Sequence, residues 1–129
     1  MAYQIEWFGD QPVIIVQMNS MRMHDLYNVF RAVTGYRSSP QSFVIYDCSN
    51  FDLTYREIEQ WLNTQAMGIN GSITDPGTHT ILVGTNHALG EVVQAFERNE
   101  FGGVYVGHYR TMSEAMLHAR DGYRIFGAW

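Results

Sequence analysis

Pro12-Val13-Ile14-Ile15-Val16-Gln17-Met18 opens with five apolar side chains in succession. A strand open to water on one face would alternate apolar with polar residues, whereas a strand covered on both faces has no such need. Three further runs read the same way: Phe43-Val44-Ile45-Tyr46, Thr80-Ile81-Leu82-Val83 and Val104-Tyr105-Val106. All are short, β-branched or aromatic, and several are bounded by glycine (Gly84, Gly103, Gly107), which favours strands over buried helix. Strands covered on both faces imply a mainly parallel sheet with helices packed against it.

The intervening segments carry helical spacing. Met23, Leu26, Tyr27, Phe30 and Val33 share one face of a first helix that should end near Gly35. Ile58, Trp61, Leu62 and Ala66 mark a second, opened by a capping box of Thr54 and Glu57. Leu89, Val92, Val93 and Phe96 mark a third, with Asn86 or Thr85 as N-cap. Met112, Ala115, Met116 and Ala119 mark a fourth, with Thr111 and Glu114 as a second capping box and Gly122 as its stop.

Tyr3, Ile5 and Trp7 alternate with Gln4 and Glu6, the pattern of a half-exposed strand, and Gly9-Asp10 then turns the chain into the Pro12 run. The expected fold is therefore α/β, order ββαβαβαβα, with the first strand antiparallel in a hairpin and residues 1–129 forming one domain. An aromatic C-terminal extension, 121–129, should dock on the body or on a partner. The stretch Gly68–His79, with Gly68, Gly71, Pro76 and Gly77, reads as a loose loop of functional or mobile character.

Composition narrows the function. The net charge is −5 and all eight basic residues are arginine, so neither nucleic acid nor an anionic membrane surface is an expected partner. No apolar run approaches the roughly 20 residues of a spanning helix, and the N-terminus lacks a basic lead, so membrane insertion is not expected and a cytoplasmic location is the default. A single cysteine excludes an internal disulfide and a multi-cysteine metal cage. Cys48 follows a strand without the cradle of a thiol nucleophile and reads as a small buried apolar residue.

Ligands of parallel sheets gather beyond the carboxyl ends of the strands. That rim should carry Asn19 and Ser20, then Asp47, Cys48 and Ser49, then Thr85, Asn86 and His87, and finally His108, Tyr109 and Arg110. Such residues can form a polar pocket, a zinc site from His87, His108 and Asp47, or an acid–base site. They are equally the residues that cap helices and close turns in any α/β domain, and this plainer role has the greater weight. No metalloprotease spacing, phosphate-cradling glycine loop or converging carboxylate pair is present. No cofactor is implied and no catalytic residue is assigned.

Across residues 3–120 the chain resembles the SpoIIAA-like, or STAS-like, domains. The resemblance is carried by Met1-Ala2-Tyr3-Gln4-Ile5-Glu6-Trp7, the Val13–Met18 strand, Asp47-Cys48-Ser49 at a strand end, and Thr111-Met112-Ser113-Glu114-Ala115-Met116 after a Val-Tyr-Val strand. It implies a regulatory domain that docks on a protein partner, with a phosphoacceptor hydroxyl after the Asp-x-Ser strand end. Asp47 and Ser49 match that strand end. The Asp-Ser-Ser-Gly-like acceptor run is replaced by Phe51-Asp52-Leu53-Thr54-Tyr55, in which Thr54 is the nearest hydroxyl.

The expected function is a non-enzymatic regulatory or protein-interaction domain whose working segment includes Asp47, Ser49 and Thr54. A homodimer through Tyr3–Phe8 or the aromatic tail is an alternative form of partnership. The other functional expectations are a carrier of an apolar, lipid-like small molecule, with a cavity beside Gly68–His79, and an enzyme using Asp47, His87 and His108.

Overall fold

The computed structural model describes residues 3–8, 11–18, 26–36, 42–49, 55–98 and 103–126. Five strands, β1 (Tyr3–Phe8), β2 (Gln11–Gln17), β3 (Ser42–Asp47), β4 (Thr78–Val83) and β5 (Gly107–Tyr109), form one sheet in the order of the chain. Among the described residues four helices follow strands: α1 (Leu26–Tyr36), α2 (Tyr55–Gln65), α3 (His87–Glu97) and α4 (Met112–Phe126). β1 pairs antiparallel with β2, with Phe8 opposite Gln11, as a tight hairpin requires. The remaining pairs are parallel, with Val13 beside Phe43, Phe43 beside His79 and Ile81 beside Gly107. Among the described residues no helix is long and apolar enough to cross a membrane.

The order of the strands dictates where the helices lie. β2 to β5 advance steadily across the sheet, and right-handed crossovers between strands that advance in one direction place all their helices on one face. Residues of α1, α2 and α3 accordingly share a buried cluster with Ile14, Val16, Val44, Tyr46 and Leu82. α4 closes no crossover between described strands and lies on the other face. There Ala115 and Ala119 pack with Val13, Ile15, Phe43, Ile45, Ile81 and Val83. The two-sided burial of β2, β3 and β4 explains why their sequences do not alternate.

The three-helix face is filled by large rings and by one polar bracket. Trp61 stands edge-on to Tyr46 at 5.6 Å and to Phe96 at 6.0 Å between centroids. Such pairs contribute about 0.5–1.5 kcal/mol each beyond the area they bury. Gln65 is 0% exposed; its Nε2 donates to the Tyr46 hydroxyl and its Oε1 accepts from the Ile73 amide, both at 2.9 Å. Its backbone carbonyl accepts from the Thr74 hydroxyl at 2.6 Å.

That bracket corrects the expectation of a loose Gly68–His79 loop. Asp75 is buried, and its carboxylate accepts from the amides of Gly71 (2.7 Å) and Gly77 (2.9 Å). Gly71 adopts φ +89° and lies so near α1 that a Cβ would stand 2.5 Å from the Phe30 carbonyl oxygen. Hydrogen bonds inside the segment replace the regular ladder its composition denies it. Its inner side carries the buried side chain of Ile73.

Two further differences bear on function. Val104-Tyr105-Val106 is not the last strand: the Val104 amide donates to the Phe96 carbonyl at 2.7 Å, which ties this segment to the end of α3. The sheet is instead extended by Gly107-His108-Tyr109. Gly122 is no helix stop, because α4 runs on to Phe126. A Cβ at Gly122 would lie 2.3 Å from Phe43 Cζ, so glycine here lets the helix approach the sheet. Of the expected aromatic extension, residues 121–126 are helical, and 127–129 lie outside the described residues.

Candidate functional site

The polar strand ends are largely taken up by local structure. The Asp47 carboxylate accepts from the Ser49 amide at 3.1 Å and from the Ser49 hydroxyl at 2.6 Å, which closes a turn. Asn86 is the N-cap of α3, its Oδ1 accepting from the Ala88 amide at 2.9 Å. His87 is the exposed first residue of that helix. His108 lies within β5 rather than beyond it, and its Nε2 bonds to the Gly84 carbonyl at 3.0 Å. Arg110 follows β5 and is exposed. Asn19, Ser20, Thr54 and the capping box of Thr54 with Glu57 lie outside the described residues and side chains.

Cys48 is 1% exposed; burial first, and the neighbouring Asp47 charge second, push its thiol well above the usual range. A thiol so held is not a nucleophile at neutral pH. Among the described residues no group of three His, Cys, Asp or Glu side chains is placed to hold a metal ion.

A cleft of about 540 Å³ opens on the opposite face, between α4 and the β5 edge. One wall comes from the second residues of β3 and β4, Phe43 and His79, which are neighbours in the parallel register. Their rings stack at 5.1 Å with 28° between planes. Ile81 and Gly107 contribute the sheet side, followed by Tyr109 on β5. Tyr105 and Leu117 also line the cleft and are 76% and 49% exposed.

The helical wall is a stripe of α4: Glu114, Leu117, His118 and Asp121 recur at i, i+3, i+4 and i+7. Ala115 and Ala119 beside this stripe are buried, and with Gly122 they hold α4 close to the sheet. At the helix start the Glu114 amide bonds to the Thr111 hydroxyl at 3.3 Å, as the capping box requires. The return half differs, because the Glu114 carboxylate accepts from the Thr111 hydroxyl at 3.0 Å rather than from its amide.

His118 joins the two walls. Its ring meets Phe43 edge-on at 6.2 Å, and its Nδ1 shares a short hydrogen bond with the Tyr109 hydroxyl. Which atom donates depends on the tautomer of the imidazole. Burial, with Tyr105 and Glu114 nearby, raises the pKa of Tyr109, so the phenol keeps its proton. Burial and the neighbouring His118 hold His79 below the ordinary 6.5, so it is neutral at pH 7. Among the described residues the only formal charges lining the cleft at that pH, the histidines apart, are the carboxylates of Glu114 and Asp121.

This arrangement suits binding: a concave, largely aromatic and apolar surface with a few convergent polar groups. Of the rim predicted from the sequence, Tyr109 lines it, while Asp47, Ser49, Asn86, His87, His108 and Arg110 do not. His79 and His118 escape a reading based on strand ends, because one lies at the amino end of β4 and the other in the middle of α4. The available signal was the polar stripe Glu114–His118–Asp121 beside the small residues Ala115 and Ala119. Against protein-family models and curated proteins, the sequence finds no match.

Proposed function

We propose that this chain is a non-enzymatic regulatory domain of the STAS-like kind, which works by docking a protein partner. One observation carries the proposal: the cleft beside β5, whose rim presents the side chains of Tyr105 and Leu117 to solvent. Exposed aromatic and aliphatic groups around a concavity are the usual anchors of an interface. The strand-end hydroxyls and imidazole, by contrast, are engaged in turns and caps.

The phosphoacceptor role carried by the resemblance rests more on Thr54 than on Ser49. The Ser49 hydroxyl lies 2.6 Å from the Asp47 carboxylate, whose charge would oppose a phosphate. The volume of the cleft also falls within the range of small-molecule sites, which keeps an apolar ligand as a second occupant class.

Photo-crosslinking in cells, with the reactive residue at Leu117 or at Ser49, tests the docking function. The expected result is a discrete protein adduct from position 117 that Tyr105→Ala removes. Adducts from position 49 alone would return the working surface to the Asp47–Thr54 segment, and none from either would count against docking.

A further inference from the structure

We propose that the docking partner inserts a basic side chain, arginine above all, into the cleft between α4 and β5. This rests on the docking function above and adds the chemistry of the occupant. The first ground is charge. Glu114 and Asp121 sit two turns apart on α4 and both line the cleft, while among the described residues no arginine lines it and the chain has no lysine. His79 adds no opposing charge at pH 7, because half-burial against Phe43 and the neighbouring His118 hold its pKa below 6.5. His118 apart, the formal charges of the described lining residues at pH 7 are therefore those of the two carboxylates, which make the cleft attractive to a cation.

The second ground is shape. A guanidinium is planar, stacks on aromatic faces and offers a fork of donors to a carboxylate, and its stem is apolar. Phe43, Tyr105 and Tyr109 supply rings, and Leu117 supplies an aliphatic surface for the stem. The Glu114 carboxylate already accepts one bond from Thr111 and keeps acceptor sites to spare. Neither carboxylate is committed to an ion pair among the described residues, and both residues are exposed, so the cost of desolvating them on binding is small. A neutral or acidic side chain would meet the same rings but gain nothing from the acids. An acidic one would be repelled.

The test uses the intact chain and two short peptides, acetyl-Leu-Arg-Leu-amide and its citrulline counterpart, a neutral isostere of the arginine. Amide NMR titrations follow Tyr109, Leu117 and His118. The arginine peptide is expected to shift these signals at millimolar concentration and the citrulline peptide to bind at least about tenfold more weakly, a difference of about 1.4 kcal/mol. The double variant E114Q/D121N should abolish that preference, with its own amide spectrum reporting that the fold is kept. Equal binding of the two peptides at the cleft overturns the cation while leaving docking in place. No shift of cleft signals by the arginine peptide at about 10 mM, a concentration that would reveal even millimolar affinity, also overturns it. The crosslink at Leu117 then judges docking independently.

Discussion

The two faces of this sheet are built on opposite plans. One is covered by three helices, and its interior is large rings tied by the buried amide of Gln65 to the Tyr46 hydroxyl and the Ile73 amide. The other carries α4, which approaches on Ala115, Ala119 and Gly122 and leaves a cleft at the β5 edge. Closure by big side chains yields a rigid wall, whereas closure by small ones brings backbone near backbone and leaves room beside it. Stability should therefore concentrate on the first face and binding on the second.

The largest expected effect falls on the closed face. Gln65→Leu keeps the volume but orphans a buried hydroxyl and a buried amide, and should lower the unfolding free energy by about 3 kcal/mol in urea titration. A loss under about 1 kcal/mol would mean that the bracket is not what holds the loop to the sheet. On the other face, Gly122→Ala gains helix propensity but drives a methyl group against the Phe43 ring, for a net loss of about 1–2 kcal/mol. The same variant should disturb the stack of Phe43 on His79 and so the cleft, seen as shifted His79 ring signals.

Gly90 sharpens the contrast, because a Cβ there meets nothing within 4 Å. Gly90→Ala in the middle of α3 should stabilise by about 0.5–1 kcal/mol, opposite in sign to the same change at Gly122. The smallest effect is a slope with pH. His79 has a folded pKa below 6.5, so the unfolded chain takes up its proton first as pH falls. The contribution of His79 is therefore full above about pH 6.5, declines below it, and levels off once the folded pKa is passed. His79→Gln should flatten that part of the stability profile between pH 7 and 5, and an unchanged slope would remove His79 from the buried wall.

Much of the scaffold was legible because its signals are local. The strands β2, β3 and β4, the inward faces of α1 and α3 (Tyr27, which is 46% exposed, excepted), and the Asn86 cap each depend on residues close in sequence. What escaped depends on distant neighbours. Val104-Tyr105-Val106 has the composition of a strand, yet its first amide is claimed by Phe96, and the less strand-like Gly107-His108-Tyr109 takes the sheet position. Gly122 looks like a stop because nothing nearby reveals Phe43 behind it. The Gly68–His79 segment looks loose because the ties from Gln65 and Asp75 depend on geometry rather than composition. The cleft joins β3, β4, β5 and α4, and only the placement of α4 on the face away from the other helices brings His79, His118 and Tyr109 together.

The single thiol of Cys48 makes the closed face measurable in time. It is buried in the three-helix cluster and donates to the Tyr46 carbonyl at 3.5 Å. A thiol-specific reagent can reach it only when that cluster opens. Under conditions where labelling outpaces reclosing, the rate of modification therefore counts how often the molecule breathes there. With one cysteine in the chain, each label is a record of that event alone.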